Sequence, residues 1–471
     1  MKRTIQVLAV LGLGSMAPAA AIAQLTLGDA MRQADRLAYA NRIATGSTQA
    51  RAAGTLVPLK GILPSVRLEA GYVRTTDPIG AFGTTLRQRA ITQADFDPQH
   101  LNHPGAVGNY QGGIVVEQPI FNADAWTARR AAVRALDATR SAEEWTRVST
   151  RVDVVRAYYG AVLARERMHT LATGAQAAHA HMTQAEAMVR QGLVTKSDAL
   201  LAAVRAGEVD AQLAEAEGAA STARRQLAVL LGGDGADAGT DDQLPAALPA
   251  GERIRAVVAA DTAAVAPAGR ADVRAAASSL EAARADALRA RSTLLPRLNS
   301  FARYDWNSVD RIYAGDRNWT VGVMASWSPF AGASELADVQ AAGGRVASAR
   351  AQDEASRATA RLEDEQSRTT LAVALTRLAI AERGATQGAE AHRIVERKYQ
   401  GGLATVVELL DAQSVETQAA LALSQARWSA IVAAAERRRA LGRDPASLAA
   451  LDGSAMLATP PSNPPSVTLP R

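Results

Sequence analysis

Two hydrophobic periods alternate along the chain. From residue 63 the period is two: Leu63-Pro64 opens SVRLEAGYVR, where Val66, Leu68, Ala70 and Tyr72 alternate with Arg67, Glu69 and Gly71. A polar stretch with Pro78, Pro98 and Pro104 follows, and the pattern returns in GGIVVEQPIF. The texture recurs further on. Leu295-Pro296 opens RLNSFARYDW, a short loop follows, and NWTVGVMASWSPF returns with Trp319, Val321, Val323, Ala325 and Trp327 on one face. Alternation of this length predicts strands, so two β-hairpins are expected, at about 63–121 and about 295–330. Proline spacing gives the first hairpin about 22 more residues than the second, expected as a long polar loop.

After each hairpin the period becomes helical. No proline lies between Pro119 and Pro245 or between Pro329 and Pro445, and Ala, Leu, Arg, Glu and Gln dominate. An interior proline costs a helix about 3 kcal/mol, and these residues are good helix formers. Asn122 to Gln191 is therefore expected as one helix of roughly 100 Å, and about Ser197 to Leu231 as another of roughly 50 Å. In the second half Leu403, Val407 and Leu410 fall at i, i+4, i+7 on one face. Such rods must pack side by side. Abundant alanine, with aromatics at only 4%, fits close helix contacts better than the three compact cores that length alone suggests.

Each helical window is broken once, and the two breaks match. GLVTKSDALL (192–201) and GLATVVELLD (402–411) align at an offset of 210, which also relates Pro119 to Pro329, Gly174 to Gly384 and Leu231-Gly232 to Leu441-Gly442. The pattern reads as an internal duplication. The expected organisation is a signal peptide over 1–23, a first repeat over 24–231 and a linking segment over 232–270. A second repeat over 271–445 and a disordered, proline-rich tail over 446–471 complete it. The signal rests on Lys2 and Arg3, the apolar run Ile5 to Gly14 and the Ala21-Ile22-Ala23 cleavage pattern.

Composition narrows the function. With no cysteine, disulfides and thiolate metal sites are excluded. A net charge of +5, spread along helices, gives no sign of a nucleic-acid partner. No P-loop, GxSxG or HExxH occurs, so no enzyme class and no cofactor is expected. His179 and His181 diverge at i, i+2 on a helix, and His100 and His103 fall in the loop, so no metal site is expected. The strands point elsewhere. One face of each is apolar and aromatic, nothing rod-like can cover it, and Tyr72, Tyr110, Tyr304 and Trp306 sit near the loop-side ends, as in the aromatic girdles of outer-membrane barrels. Trp319 and Trp327 join this set of membrane-interface aromatics. Four strands cannot close a barrel, and open edges are not tolerated in lipid, so several copies must share one sheet.

At this point the chain resembles the TolC-type outer membrane efflux proteins. The resemblance is carried by the duplicated halves, the Leu-Pro-led strands, the QPIFN and SPFAG strand ends, RQGLVTKSDALLA and YQGGLATVVELLDAQ. It implies a mostly α fold with a membrane β part. Long antiparallel helical hairpins form a trimeric α-barrel in the periplasm, and four strands per protomer contribute to a 12-stranded transmembrane β-barrel. It implies an exit duct for a tripartite efflux or type I secretion system, working with a periplasmic adaptor and an inner-membrane pump. Arg190, Gln191, Gly192, Leu193, Gly401, Gly402 and Leu403 fall at the adaptor-contacting tips, and Asp198, Tyr399, Glu408 and Asp411 at the periplasmic gate. A bland alternative stands beside the gate reading: acids near helix N-termini are favoured by the helix dipole in any case. Where the best-known gate pattern has an arginine, this chain has Ala404, so a gate bond to Asp198 either takes another donor, Lys196 or Arg190, or is absent. A rival reading, a periplasmic coiled-coil adaptor or scaffold without its own pore, explains the helices and leaves the four strands unexplained.

Overall fold

The computed structural model describes residues 24–235, 243–260, 269–330 and 332–452. The expected signal peptide lies outside them. Two short helices come first, α1 (Leu27–Leu37) and α2 (Tyr39–Gly54). Strand β1 (Ser65–Thr75) and strand β2 (Val107–Phe121) form the first hairpin. The 68-residue α5 (Ala123–Arg190) and the 35-residue α6 (Lys196–Leu230) follow. After α7 (Gly251–Ala259) the plan returns with α8 (Ala271–Ser292), β3 (Arg297–Ser308), β4 (Asp316–Ser326), the 67-residue α9 (Ser334–Gln400) and the 35-residue α10 (Val406–Ala440).

The expected polar loop of the first hairpin is itself folded. It carries α3 (Pro78–Arg87), capped by Asp77 accepting from the Gly80 amide, and a short α4 (Pro98–Asn102). Two of the prolines that looked like loop markers, Pro78 and Pro98, open these helices. Proline suits a first helical turn, where its missing N–H has no partner to lose.

All four strands form one antiparallel sheet in the order β1-β2-β3-β4, leaving β1 and β4 as open edges. The register puts Val66, Leu68, Ile114, Val116, Ala302, Val321 and Val323 on one face. Arg67, Glu69, Gln111, Arg303, Asp305 and Asn318 share the other, where Arg303 pairs with Glu69 at 3.3 Å and with Asp305 at 2.7 Å. Among the described residues no helix covers the apolar face, and Leu68, Val321 and Val323 are 67%, 64% and 63% exposed.

The helices pack in pairs: α5 against α6, α8 and α2, and α9 against α10 and α8. Small residues sit at the seams, and Ala202, Ala206, Ala342 and Ala360 are each 1% exposed. The main core lies where α5 and α10 cross α1 and α7. Met31, Val154, Tyr158, Val162, Ile254, Leu378 and Ile431 meet there. Residues 445–452 belong to this core, so the disordered tail expected over 446–471 does not begin at 446. A helical segment, Pro445–Asp452, buries Leu448 and Leu451. Asp452 accepts from the Tyr159 hydroxyl (2.6 Å) and the Leu27 amide (2.9 Å), tying the last described turn to the first. Residues 453–471 lie outside the described residues.

Candidate functional site: the helical tip and the uncovered sheet

At the tip, two helix endings of one design stand side by side. Met188, Val189 and Arg190 end α5, and Gly192 adopts φ +74°. Its amide donates to the Val189 carbonyl (3.0 Å), and the Leu193 amide donates to the Met188 carbonyl (2.9 Å). The same bonds close α9, with Gly402 at φ +72°, its amide on Tyr399 (3.0 Å) and the Leu403 amide on Lys398 (2.8 Å). This paired closure requires a left-handed residue, which glycine takes without a Cβ penalty. Gly401 sits at φ −86° and has no such need.

Each turn then starts the return helix with a capping box. Thr195 accepts from the Asp198 amide while the Asp198 carboxylate accepts from the Thr195 amide (3.0 Å). Thr405 and Glu408 repeat this, the Thr405 amide donating at 2.7 Å. Two orphan amides are satisfied at each start. The Thr405 amide, then its hydroxyl, hold the Glu408 carboxyl below its ordinary range. Both boxes were legible as T-x-x-D in TKSD and T-x-x-E in TVVE, a signal the sequence reading passed over.

The gate candidates separate in space. Tyr399 is buried, 5% exposed, and its hydroxyl donates to the Met188 sulfur at 3.2 Å. Burial first, then the Asp198 charge, push its phenol up. It belongs to a small core with Ala185, Ala202, Val406, Leu409 and Leu410 that fixes the distance between the two hairpins. The Asp198 carboxylate is taken up by Thr195 in its own capping box, and neither Lys196 nor Arg190 forms an ion pair with it among the described residues. Glu408 and Asp411 are exposed on the first turns of α10. Across the groove, Arg205 of α6, held charged chiefly by Glu208 (2.7 Å), also feels Asp411. Arg190, Gln191, Gly192, Leu193, Gly401, Gly402 and Leu403 are all exposed, Leu403 at 82%.

Above the tip lies a histidine layer in which the sequence singled out the pair His179 and His181 but not His392. His392 on α9 reaches Glu416 of α10 at 2.5 Å, and its Nε2 is buried without a partner. His181 on α5 is held below its ordinary value by burial first, then by His392. His179 instead pairs with Asp210 at 3.0 Å. Among the described residues no three potential metal ligands converge.

At the other end, the aromatics form two sets. Tyr72 and Tyr110 pair across β1 and β2 (ring centroids 4.7 Å apart), and Tyr304 packs edge-on to Trp306 (4.8 Å) and stands opposite Trp319. These five sit near the loop-side ends. Tyr313, from the short loop, completes this set: its ring covers Gly112, stacks edge-on against Trp306 (5.6 Å), and its hydroxyl donates to the Glu69 carbonyl (3.2 Å). Only the bare Gly112-Gly113 pair in β2 hinted at such a cover. Trp327 lies at the opposite end of the sheet, donating to the Leu294 carbonyl (3.0 Å). Among the described residues no helix is long and apolar enough to cross a membrane.

Comparison with solved structures finds this architecture elsewhere. A membrane protein from Pseudomonas aeruginosa superposes with a TM-score of 0.74 at 20% identity, over 88% of this chain and 93% of that one. The Campylobacter jejuni outer membrane channel CmeC gives 0.72 at 16% identity, over 88% and 85%. The Vibrio cholerae outer membrane protein VceC gives 0.71 at 18% identity, over 89% and 96%. Comparison with curated proteins gives no match. The sequence profile described as outer membrane efflux protein matches residues 59–233 and 264–443, which is most of the chain. With hairpins, sheet and profile in agreement, the chain belongs to the outer membrane efflux protein family, whose members are channels and not enzymes.

Proposed function

We propose that three copies of this chain form the outer-membrane exit duct of a tripartite efflux or type I secretion system. In this reading cargo passes passively from an inner-membrane pump and a periplasmic adaptor to the exterior. The observation that carries it is the sheet: four strands, two open edges and an apolar face that no described helix covers. Eleven-residue strands at about 3.3 Å per residue, tilted by about 40°, rise about 28 Å, close to the height of an outer-membrane apolar band. Lipid does not tolerate the open edges. Three copies supply twelve strands, enough for a barrel with a lumen. The polar face, with Arg67, Glu69, Arg303 and Asp305, then lines that lumen. The helices extend about 100 Å from it at 1.5 Å per residue, a length suited to crossing the periplasm. A solitary scaffold leaves the exposed apolar sheet without purpose.

The exposed tips, Arg190 to Leu193 and Gly401 to Leu403, are the adaptor contact in this reading. Glu408 and Asp411, repeated three times around the axis, form the acidic ring of the periplasmic gate, with Tyr399 and Asp198 behind it. Purified protein in planar bilayers tests the whole. Cation-selective single channels are expected, with divalent block from the tip side that weakens in Glu408→Gln with Asp411→Asn. A protein that stays in the soluble fraction and forms no channels sinks the proposal. Channels with unchanged block in the double variant remove the acidic ring alone.

A further inference from the structure

The long insertion in the first hairpin does not stand clear of the sheet; it folds back onto the polar face. Gln88, which caps α3, is 9% exposed, and its amide donates to the Gly108 carbonyl (2.9 Å) and the Asn109 side-chain oxygen (2.9 Å). Asn109 donates in turn to the Asn307 side-chain oxygen (2.8 Å), and these two asparagines are 3% and 4% exposed. Three buried amides thus join the insertion, β2 and β3, and breaking one leaves the others unsatisfied. Arg89, held at φ +52°, adds an ion pair to Asp316 of β4 at 3.7 Å. Next to it Arg87 roofs a cleft of about 370 Å³ walled by Glu69, Gln111, Arg303, Asp305 and Asn318, all on the polar face.

The anchoring fixes what the far side of α3 presents. Ala81 and Gln88, seven residues apart, lie on the docked side and are buried. Ile79 and Leu86, also seven apart, share the opposite side and are 85% and 54% exposed. Seven residues bring an α-helix back to within about 20° of its starting direction, so this is one stripe. Because the docked side faces the polar face of the sheet, the stripe looks away from it, into the enclosed space. Resting on the barrel reading above, we propose that residues 76–106 form an inward-folded collar. Three collars narrow the outer mouth, Ile79 and Leu86 line its narrowest part, and the collar sets an upper size limit on what passes there, separately from the tip.

The absence of cysteine allows a clean test in whole cells. Gln111→Cys places a reporter on the polar face beneath the collar, and Val321→Cys a control on the apolar face. Small and bulky membrane-impermeant thiol reagents are added from outside. The small reagent is expected to modify Gln111→Cys readily and the bulky one slowly. Gln88→Ala, or replacement of 78–104 by a short Gly-Ser link, is expected to raise the bulky-reagent rate several-fold and leave the small-reagent rate unchanged. Leu86→Asp, at an exposed position that folding does not need, is expected to raise the ratio of cationic to anionic reagent rates. Equal bulky-to-small ratios with and without the collar, or an unmoved charge ratio in Leu86→Asp, overturn the collar. Equal modification of Gln111→Cys and Val321→Cys by the impermeant reagents instead overturns the barrel on which it rests.

Discussion

Gly192 and Gly402 have nothing within 4 Å of where a Cβ would lie, so space is not why they are glycines. Their φ of +74° and +72° is the reason. Gly192→Ala or Gly402→Ala is expected to cost about 1–2 kcal/mol each through the left-handed penalty, read as a lower unfolding midpoint in detergent. Gly401→Ala, at φ −86°, is expected to be neutral or to stabilise by up to about 1 kcal/mol. A second residue with a sharp requirement is Arg270, 1% exposed, paired with Asp272 and Glu363 at 2.8 Å each and stacked over Trp145 at 4.8 Å. Removing it strands two carboxylates, so Arg270→Ala is expected to cost about 3–5 kcal/mol in the same assay. His181 gives a pH signature. Burial favours its neutral form in the fold, so its contribution is complete above its unfolded value of about 6.5 and is lost as pH falls below it. His181→Asn is expected to flatten the loss of midpoint between pH 7.5 and 5.5, and an unchanged slope refutes the assignment. None of these three roles shows in the sequence in the same way. The glycines stand out by repetition, whereas Arg270 and His181 look like any other surface residue until the packing is known.

At the scale of elements, the two helical hairpins are one device used twice: a glycine closure, then a Thr-led capping box. This gives Glu408 two roles that charge removal alone confuses. Glu408→Gln keeps the box, since glutamine serves at that position, and removes the charge. Thr405→Ala keeps the charge and loses the cap, at about 1 kcal/mol. If the acidic ring controls permeation, Glu408→Gln changes cation block and Thr405→Ala changes only the unfolding midpoint. The opposite assignment makes Glu408 a structural cap and nothing more. The element boundaries were largely legible: the first long helix, expected from 122 to 191, and its partner, expected from about 197 to 231, each begin and end within one residue of that. The expected polar loop, by contrast, holds α3 and α4. Pro78 and Pro98 read as breakers, whereas each follows an aspartate that caps a helix start, and only the docking surface makes helices this short worth forming; Pro104 alone lies in irregular chain.

At the scale of the whole molecule, the sheet keeps two open edges and an exposed apolar face, and these are the main support for the proposed trimer. In the trimeric reading Val323, in the body of the apolar face, meets lipid. Val323→Arg is then expected to cost about 2–4 kcal/mol per copy near the bilayer midplane and to remove the protein from the outer-membrane fraction. Thr320→Arg, on the polar face, is expected to assemble normally and to alter conductance. If both variants assemble equally well, the two faces have been assigned to the wrong surroundings.

The sequence by itself determined the periods, and with them the elements. Proline-free windows fixed the long helices, alternation fixed which strand residues share a face, and the offset of 210 fixed where the hairpins turn. These are local properties, set by backbone sterics and side-chain spacing. Only the tertiary structure decided which polar groups meet. The chain from Gln88 to Asn307 spans 219 positions, Tyr313 finds Gly112 across the sheet, and Asp452 returns to Leu27. No period encodes such contacts, because each depends on where two distant segments come to rest after the helices and strands have formed.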